Sequence, residues 1–506
     1  MTDKIPHFID GRRSNLSSTR TADVLNPSTG EVQAQVLLAS AADVDTAVAT
    51  AKKAQVQWAA FNPQRRARVM MKFVELVNAN MDELAVLLSR EHGKTVPDSK
   101  GDIQRGIEVI EFAIGIPHLL KGEFTEGAGP GIDVYSLRQP LGVVAGITPF
   151  NFPAMIPLWK AGPALACGNA FILKPSERDP SVPVRLAELF VEAGLPPGVF
   201  HVVQGDKEAV DAILHHPDVA AVGFVGSSDI AQYIYETAAA NGKRSQCFGG
   251  AKNHMIVLPD ADLDQAVDAL IGAGYGSAGE RCMAISVAVP VGDETANRLR
   301  NRLVERINQL RVGHSLDPKA DYGPLVTDAA LKRVRDYIGQ GVEAGADLVV
   351  DGRERTTDEL TFDDASLEKG FFIGPTLFDN VTTDMSIYTD EIFGPVLCIV
   401  RARDYEEALR LPTEHEYGNG VAIFTRDGDA ARDFVSRVQV GMVGVNVPIP
   451  VPVAYHSFGG WKRSGFGDLN QHGPASIQFY TKVKTVTQRW PSGIKDGAEF
   501  SIPTMK

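Results

Sequence analysis

The sequence has few cysteines, no excess of positive charge and no unbroken run of apolar residues. The formal net charge of the 506 residues is -13 at pH 7. An acidic chain of this kind has no general attraction for nucleic acid or for an anionic membrane surface. We therefore expect neither nucleic acid nor a membrane among its partners.

The most apolar stretch, residues 141–159, is interrupted by Pro149, Pro153 and Pro157. Prolines at this spacing break a helix that would span a bilayer, so we predict no transmembrane segment. The N-terminal stretch MTDKIPHFIDGRRS lacks the apolar core of a signal peptide. These absences predict a protein of the cytoplasm or of an organelle matrix.

The cysteines are too widely spaced to form a metal-binding pattern, so we predict no metal site and reduced thiols. They are Cys167, Cys247, Cys282 and Cys398.

Short apolar runs alternate with amphipathic stretches from about Leu141 onward, as in LGVVAGI, AFILKP and PVRLAELFVEAG. This rhythm predicts a mostly parallel sheet with helices on both faces. The pattern resumes after Gly249, which indicates a second α/β unit. We expect the first 120 residues to be mainly helical.

Two segments differ from this rhythm. IDVYSLRQP and FYTKVKTVTQRW alternate polar and apolar residues and are rich in Val, Thr and Tyr, which predicts half-exposed strands at the edges of the two α/β units. A β arm that pairs with another subunit explains both segments. An edge hairpin within one chain is the alternative.

The stretch GYGSAGERCMA contains a G-x-G-x-x-G pattern, but it follows a helical pattern and precedes a strand. A dinucleotide-binding fingerprint requires the reverse order, so we expect these glycines to allow close backbone approach around Cys282 instead. Arg281 is adjacent to Cys282, and a nearby cation lowers the pKa of a thiol. Cys282 is thus either a core residue or a nucleophile.

Three further stretches follow predicted strands. In VGFVGSSDIAQ, Ser227 or Ser228 caps a helix whose free N–H groups can bind a phosphate, although an ordinary cap looks the same. In ITPFNFP, Asn151 can donate to an oxyanion or can bond its own turn. In FILKPSER, Lys174 and Glu177 can bind ribose hydroxyls or lie in a solvated loop.

The motifs TPFNFP, KPSER, GFVGSS, CFGGAKN, the Cys282 loop and EIFGPV occur in this order over nearly the whole chain. In this the sequence resembles the aldehyde dehydrogenase superfamily, and within it the CoA-acylating methylmalonate-semialdehyde dehydrogenase branch. GERCMA, FNFPAMIPLW and the segment from SFGGWKRSGFG to TVTQRW carry the closer match.

The resemblance implies a Rossmann-like NAD-binding domain, an α/β catalytic domain and a small β oligomerisation arm, in a homotetramer. The NAD-binding domain would comprise residues 1–122 and 141–249, and the catalytic domain residues 250–468. The arm would comprise residues 123–140 and 469–506.

The resemblance also implies site residues. Cys282 matches the nucleophile and Asn151 the amide that binds the oxyanion. Arg105 and Arg281 match residues that hold a substrate carboxylate. Glu177 favours NAD over NADP, because a carboxylate repels a 2′-phosphate. The residues that match NAD contacts are Thr148, Phe150, Lys174, Glu177, Arg178, Ser227, Gly249, Glu391 and Phe393.

One position departs from the wider family. Hydrolytic members have a glutamate two residues before the Gly-Gly pair, where this chain has Cys247. A thiol is a poor base for water, so the acyl-enzyme should wait for coenzyme A. The expected reaction converts methylmalonate or malonate semialdehyde to propionyl-CoA or acetyl-CoA, with CO₂ and NADH.

Three other hypotheses remain open. The enzyme could release a free acid if another group, such as Glu391, activates water. The chain could be a binding or scaffold protein that has lost catalysis. Cys247 could also form an inhibitory disulfide with Cys282.

Overall fold

The computed structural model describes residues 3–354, 357 and 361–490. The strands are, in chain order, β1 (Lys4–Ile5), β2 (His7–Ile9), β3 (Arg12–Ser14), β4 (Arg20–Asn26), β5 (Glu31–Leu38), β6 (Phe124–Gly129), β7 (Ile132–Pro140), β8 (Val143–Ile147), β9 (Ala170–Lys174), β10 (Phe200–Val202), β11 (Val219–Val225), β12 (Arg244–Phe248), β13 (Asn253–Val257), β14 (Ile285–Pro290), β15 (Asp347–Val350), β16 (Thr361–Phe362), β17 (Ala365–Ser366), β18 (Thr376–Asp379), β19 (Val396–Ile399), β20 (Tyr417–Gly418), β21 (Gly420–Phe424), β22 (Met442–Val445), β23 (Trp461–Lys462), β24 (Gly465–Phe466) and β25 (Thr481–Arg489).

The helices are α1 (Ala41–Ala60), α2 (Pro63–Ala79), α3 (Met81–His92), α4 (Val96–Ile114), α5 (Ile116–Leu119), α6 (Met155–Ala166), α7 (Ser181–Glu192), α8 (Lys207–His215), α9 (Ser228–Ala240), α10 (Leu263–Tyr275), α11 (Asp293–Ile307), α12 (Asp328–Glu343), α13 (Ser386–Thr389), α14 (Tyr405–Glu414), α15 (Gly428–Arg437) and α16 (Gly473–Phe479). A 3₁₀ turn covers Gly276–Gly279. None of the described helices is both long enough and apolar enough to cross a bilayer.

The first large sheet has the order β24-β12-β11-β8-β9-β10-β2-β3, and the strands from β12 to β10 are parallel. All residues of β8 and β9 are buried, as expected for strands covered by helices on both faces. The chain winds outward in both directions from β8, so the strand order reverses between β8 and β11. Ligands of α/β sheets bind at such a reversal, outside the carboxyl ends of the strands.

The second large sheet has the order β15-β18-β19-β14-β13-β21-β22, and only β15 is antiparallel to its neighbour. Its apolar residues form a core cluster of their own. Cys282 lies in the connection between α10 and β14, at the border of this unit. The predicted pair of α/β units is confirmed.

The two segments with alternating residues form strands β7 and β25, and they pair with each other. Their antiparallel register runs from Thr481↔Pro140 to Arg489↔Ile132, and β6 completes a separate three-stranded sheet. The sequence predicted that these strands lie at the edges of the two larger sheets, and this prediction is wrong. Residues 491–506 of the predicted arm lie outside the described residues.

Two parts of the chain depart from the expected layout. Residues 469–480 do not join the three-stranded sheet, because Ile477, Phe479 and Tyr480 are buried in the core of the first unit. Most of the first 38 residues form β1–β5 rather than helix. The alternating residues of β4 and β5 bury Val24 and Val36 in a small cluster, which a strand pair does better than a helix.

Candidate active site

A cleft of about 620 Å³ opens where the strand order reverses, beyond the ends of β8, β9 and β11. Its volume lies within the usual range for a ligand site. The residues proposed from the sequence that line it are Thr148, Phe150, Asn151, Lys174, Glu177, Arg178, Ser227, Gly249, Cys282, Glu391 and Phe393. The structure therefore brings the candidate nucleophile, the oxyanion amide and the candidate cofactor contacts to one wall.

The loop that carries Cys282 has a strained backbone. Ser277 and Ala278 adopt left-handed conformations with φ of 55° and 51°, each at a cost of roughly 1–2 kcal/mol for an L-residue. Gly279 has φ +74°, and a Cβ there would lie 2.2 Å from the carbonyl oxygen of Gly394. The loop follows α10 and precedes β14, so the GYGSAG stretch serves close approach and does not open a helix, as predicted.

Two asparagines that sequence reasoning missed hold the Cys282 peptide. Nδ2 of Asn253 donates to the Cys282 carbonyl at 3.0 Å, and Nδ2 of Asn419 donates to the same oxygen at 3.1 Å. Asn253 ends the CFGGAKN motif, but the motif does not indicate a contact with Cys282, and Asn419 belongs to no motif identified in the sequence. Their bonds fix the orientation of the Cys282 carbonyl, and no backbone carbonyl among the described residues accepts from the Cys282 N–H.

Burial, together with the nearby Glu391 carboxylate, raises the pKa of the half-buried Cys282 thiol to about 12. The backbone N–H groups of Cys282 and Met283 oppose this shift. The lowered thiol pKa that the adjacent Arg281 led us to expect is therefore not found. The Arg281 guanidinium donates to Asp98 Oδ1 at 2.7 Å, so its charge is already paired.

Glu391 lies beside the nucleophile, and both residues line the cleft. Its Oε1 accepts a hydrogen bond from the Ala251 N–H at 2.9 Å. Burial raises the pKa of this carboxyl to about 7, although the Ala251 N–H and the charges of Lys252 and Arg333 oppose the shift. A carboxyl group that changes protonation near neutral pH therefore adjoins the thiol.

Asn151 is 3% exposed and lies at the turn between β8 and α6. Within the described part of the chain its side-chain amide makes no hydrogen bond, so it does not bond its own turn. Its backbone carbonyl accepts from Lys94 Nζ at 2.6 Å. The amide is thus buried beside Cys282 and free to donate to an oxygen in the cleft.

The start of α9 suits a pyrophosphate. Ser227 is the N-cap, as predicted, and its side chain makes no capping bond to the helix. The hydroxyl of Thr148 is buried without a partner in the described chain. A Cβ at Gly249 would lie 2.5 Å from Ser228 Oγ and 2.6 Å from the Arg463 carbonyl oxygen, so only glycine fits at this point of the wall. Free N–H groups, an unpaired hydroxyl and a glycine wall fit the central part of a dinucleotide.

The far end of the cleft suits an adenosine ribose. Lys174 Nζ lies 3.5 Å from Glu177 Oε2, and the Arg178 guanidinium lies over the Phe150 ring at 5.0 Å. Sequence reasoning missed several polar residues of the cleft as a whole, which are Ser176, Asp206, Lys207 and Arg333. Asp206 caps α8 directly after a strand, and that cap signal could have identified it.

The two arginines expected at the substrate carboxylate do not line a common cavity. Arg281 and Cys282 line a small second cavity, whereas Arg105 lines neither cavity. Arg105 Nη2 donates to the Pro452 carbonyl at 2.8 Å, and its own carbonyl accepts from Trp159 Nε1 at 3.0 Å. Trp159 belongs to an apolar cluster that packs against Cys282. Arg105 therefore lies at the margin of this cluster.

Cys247 is fully buried in β12 and does not line the cleft. Burial raises the pKa of its thiol to about 12, although the neighbouring Lys160 opposes the shift. Burial also lowers the pKa of Lys160 to about 7, and its Nζ donates to Gln471 Oε1 at 3.0 Å. This position therefore supplies no carboxylate. Both Cys247 and Cys282 are free thiols, and a disulfide between them stays a hypothesis.

Comparisons with known proteins agree with this geometry. The sequence profile of the aldehyde dehydrogenase family matches residues 15–486. A malonate-semialdehyde dehydrogenase of Pseudomonas aeruginosa is 54% identical over 500 residues, which are 99% of each chain. The acylating, mitochondrial methylmalonate-semialdehyde dehydrogenase of Arabidopsis thaliana is 47% identical, over 100% of this chain and 81% of that protein. A solved structure from Sinorhizobium meliloti 1021, complexed with NAD, is 69% identical with a TM-score of 0.95, covering 98% of this chain and 100% of that chain.

Proposed function

The chain belongs to the aldehyde dehydrogenase family, and we propose that it oxidises malonate or methylmalonate semialdehyde with NAD and transfers the acyl group to coenzyme A. The observation that carries this proposal is the convergence of Cys282, Asn151 and the dinucleotide-binding residues on one cleft. The identity to relatives named for these two semialdehydes supports the choice of substrate.

The first step forms a bond between Cys282 Sγ and the aldehyde carbon. Because the pKa of the thiol is raised, a base must take its proton, and we assign this to the adjacent Glu391 carboxylate. The carbonyl electron pair moves to oxygen, and the oxyanion accepts hydrogen bonds from the Asn151 amide and the Cys282 N–H. When bound, NAD accepts a hydride. Loss of hydride from the substrate carbon restores the C=O bond and leaves a thioester on Cys282.

The second step removes CO₂. Arg281 and Arg105 would hold the substrate carboxylate, with bidentate bonds as the favoured geometry. Cleavage of the carbon–carbon bond leaves its electron pair in the thioester enolate, whose oxygen the Asn151 amide again stabilises. The enolate carbon then takes a proton from solvent.

The third step transfers the acyl group. The thiolate of coenzyme A attacks the thioester carbon, and the Cys282 thiolate leaves as propionyl-CoA or acetyl-CoA forms. The buried, neutral Cys247 provides no base for water at the position where hydrolytic relatives have glutamate. The alternative function is hydrolysis of the thioester to a free acid. Glu391, whose pKa is about 7, is the group that could activate water for this reaction.

Replacement of the nucleophile tests the covalent step. Cys282→Ala should abolish NADH formation while NAD binding is retained, and Cys167→Ala, which changes a buried cysteine outside the cleft, should keep activity. Intact-mass spectra of the wild-type enzyme with substrate and NAD but no coenzyme A should show one acyl adduct. NADH formation by Cys282→Ala at the wild-type rate would exclude the mechanism.

We also propose a homotetramer in which the three-stranded sheet pairs with another subunit. The exposed residues of the two edge strands, β6 and β25, support this, because an uncovered sheet edge invites pairing. A cytoplasmic location follows from the need for a reduced nucleophile. Native mass and cell fractionation test the two statements.

A further inference from the structure

We infer that Lys94 and Asp102 are positioning residues of the oxyanion site. This inference rests on the proposed role of Asn151. The two side chains form an ion pair, with Lys94 Nζ 3.2 Å from Asp102 Oδ2, and both are 0% exposed. Neither lines the cleft, and no motif in the sequence pointed to them.

The ion pair binds the backbone at both ends of the segment from Asn151 to Met155. Lys94 Nζ donates to the Asn151 carbonyl at 2.6 Å. Asp102 Oδ1 accepts from the Met155 N–H at 2.7 Å. The ammonium also lies 4.3 Å from the centre of the Phe152 ring, which adds a contact within the same turn. One pair of charges therefore fixes the backbone at Asn151 itself and at Met155, where α6 begins.

The Met155 contact also replaces a missing helix cap. Met155 is the first residue of α6, and the N-cap residue Ala154 has no side chain that can cap the helix. The carboxylate of Asp102, which comes from the neighbouring α4, accepts a free N–H there instead and interacts favourably with the helix dipole. The orientation of α6, and with it that of the Asn151 turn, is thus tied to α4.

A buried ion pair is a weak source of stability, because desolvation of two charges offsets much of their attraction. Geometric precision is a better reason for this one. A donor to an oxyanion must lie within roughly 0.5 Å of its productive position. A carbonyl held by an ammonium and an N–H held by a carboxylate, both buried, restrict the turn to one conformation.

The test compares single-turnover rate constants for NADH formation in matched pairs of variants. Asp102→Asn and Lys94→Met should each lower this rate constant about 10- to 100-fold, which is somewhat less than loss of an oxyanion donor itself. The Kd for NAD should stay within about twofold, since the ion pair does not contact the cleft. In an Asn151→Ala background the same two changes should cost less than about threefold, because no amide remains to be positioned.

A second buried lysine provides the control. Lys243 Nζ donates to the carbonyls of His216 and Val219 at 2.5 and 2.8 Å, in another part of the first unit. Lys243→Met should lower the Tm and leave the rate constant unchanged.

The outcomes separate this inference from the proposed function. If Asn151→Ala forms NADH at the wild-type rate, the oxyanion role of Asn151 fails, and the inference falls with it. If Asn151→Ala is slow but the losses in the double variants are additive, only the inference is overturned. If Lys94→Met does not fold, the nearly isosteric Asp102→Asn decides, and a wild-type rate in that variant overturns the inference.

Discussion

Two neighbouring side chains, Cys282 and Glu391, set the protonation state of the active site. Glu391 has a pKa of about 7, so its carboxylate is charged over the whole range in which the thiol titrates. A negative charge disfavours the thiolate, and its removal must therefore lower the pKa of Cys282.

Glu391→Gln should shift the pH midpoint of iodoacetamide labelling at Cys282 downward by on the order of one pH unit. The same variant should form NADH more slowly at pH 7, because the proposed base is gone. The labelling is measured on the Cys282 peptide, since the other cysteines are buried. An unchanged or higher midpoint would show that the carboxylate does not act on the thiol.

Arg281 determines the substrate class in this account. Arg281→Gln should lower kcat/KM for malonate semialdehyde by roughly 10- to 100-fold, as expected for loss of a charge-assisted bond of about 1.5–3 kcal/mol. Propanal lacks the carboxylate, and its kcat/KM should change less than about twofold. Equal losses for both aldehydes would indicate that Arg281 supports the Cys282 loop through Asp98 and does not bind substrate.

At the scale of secondary-structure elements, a substitution at the start of α9 can distinguish an ordinary helix cap from a phosphate-binding site. Aspartate caps a helix as well as serine does, so Ser227→Asp should leave the Tm unchanged or slightly higher. Its carboxylate would repel a pyrophosphate at the same N–H groups, so the Kd for NAD should rise at least about tenfold. Unchanged NAD binding would show that Ser227 caps the helix and does not take part in phosphate binding.

The backbone of the Cys282 loop requires glycine at position 279, and this requirement can be tested by substitution. Gly279→Ala places a methyl group against the Gly394 carbonyl at a positive φ, and it should cost about 1–3 kcal/mol of unfolding free energy and most of the activity. Gly272, in the preceding helix α10, has open space around its Cα. Gly272→Ala should stabilise by about 0.5–1 kcal/mol with activity intact. Denaturant unfolding measures both, and a neutral Gly279→Ala would show that the loop is not under this constraint.

For the molecule as a whole, the sequence predicts features that depend on a short stretch of chain, and it does not predict contacts between residues far apart along the chain. The βαβ rhythm gives both α/β units, and the motifs at strand ends give the cleft wall, because each depends on a short stretch of chain. Strand pairing between β7 and β25 joins segments that are separated along the chain by the whole second unit, so alternation alone could not identify the partner.

The same limit applies to the site. Asn253, Asn419 and Lys94 act through bonds to backbone atoms far along the chain, and even the CFGGAKN motif that contains Asn253 does not identify its partner. The pKa of Cys282 was predicted with the wrong sign, because an adjacent arginine is visible in the sequence but its pairing with Asp98 and the burial of the thiol are not.

We propose transfer of the acyl group to coenzyme A at a site that has Cys247 where hydrolytic relatives have a glutamate. The direct test is NADH production from malonate semialdehyde with and without coenzyme A, with the acyl product identified by mass spectrometry. We predict that sustained turnover requires coenzyme A and yields acetyl-CoA, after a single burst of NADH without it. Equal turnover without coenzyme A, with a free acid as product, would contradict the claim and would assign water activation to another group such as Glu391.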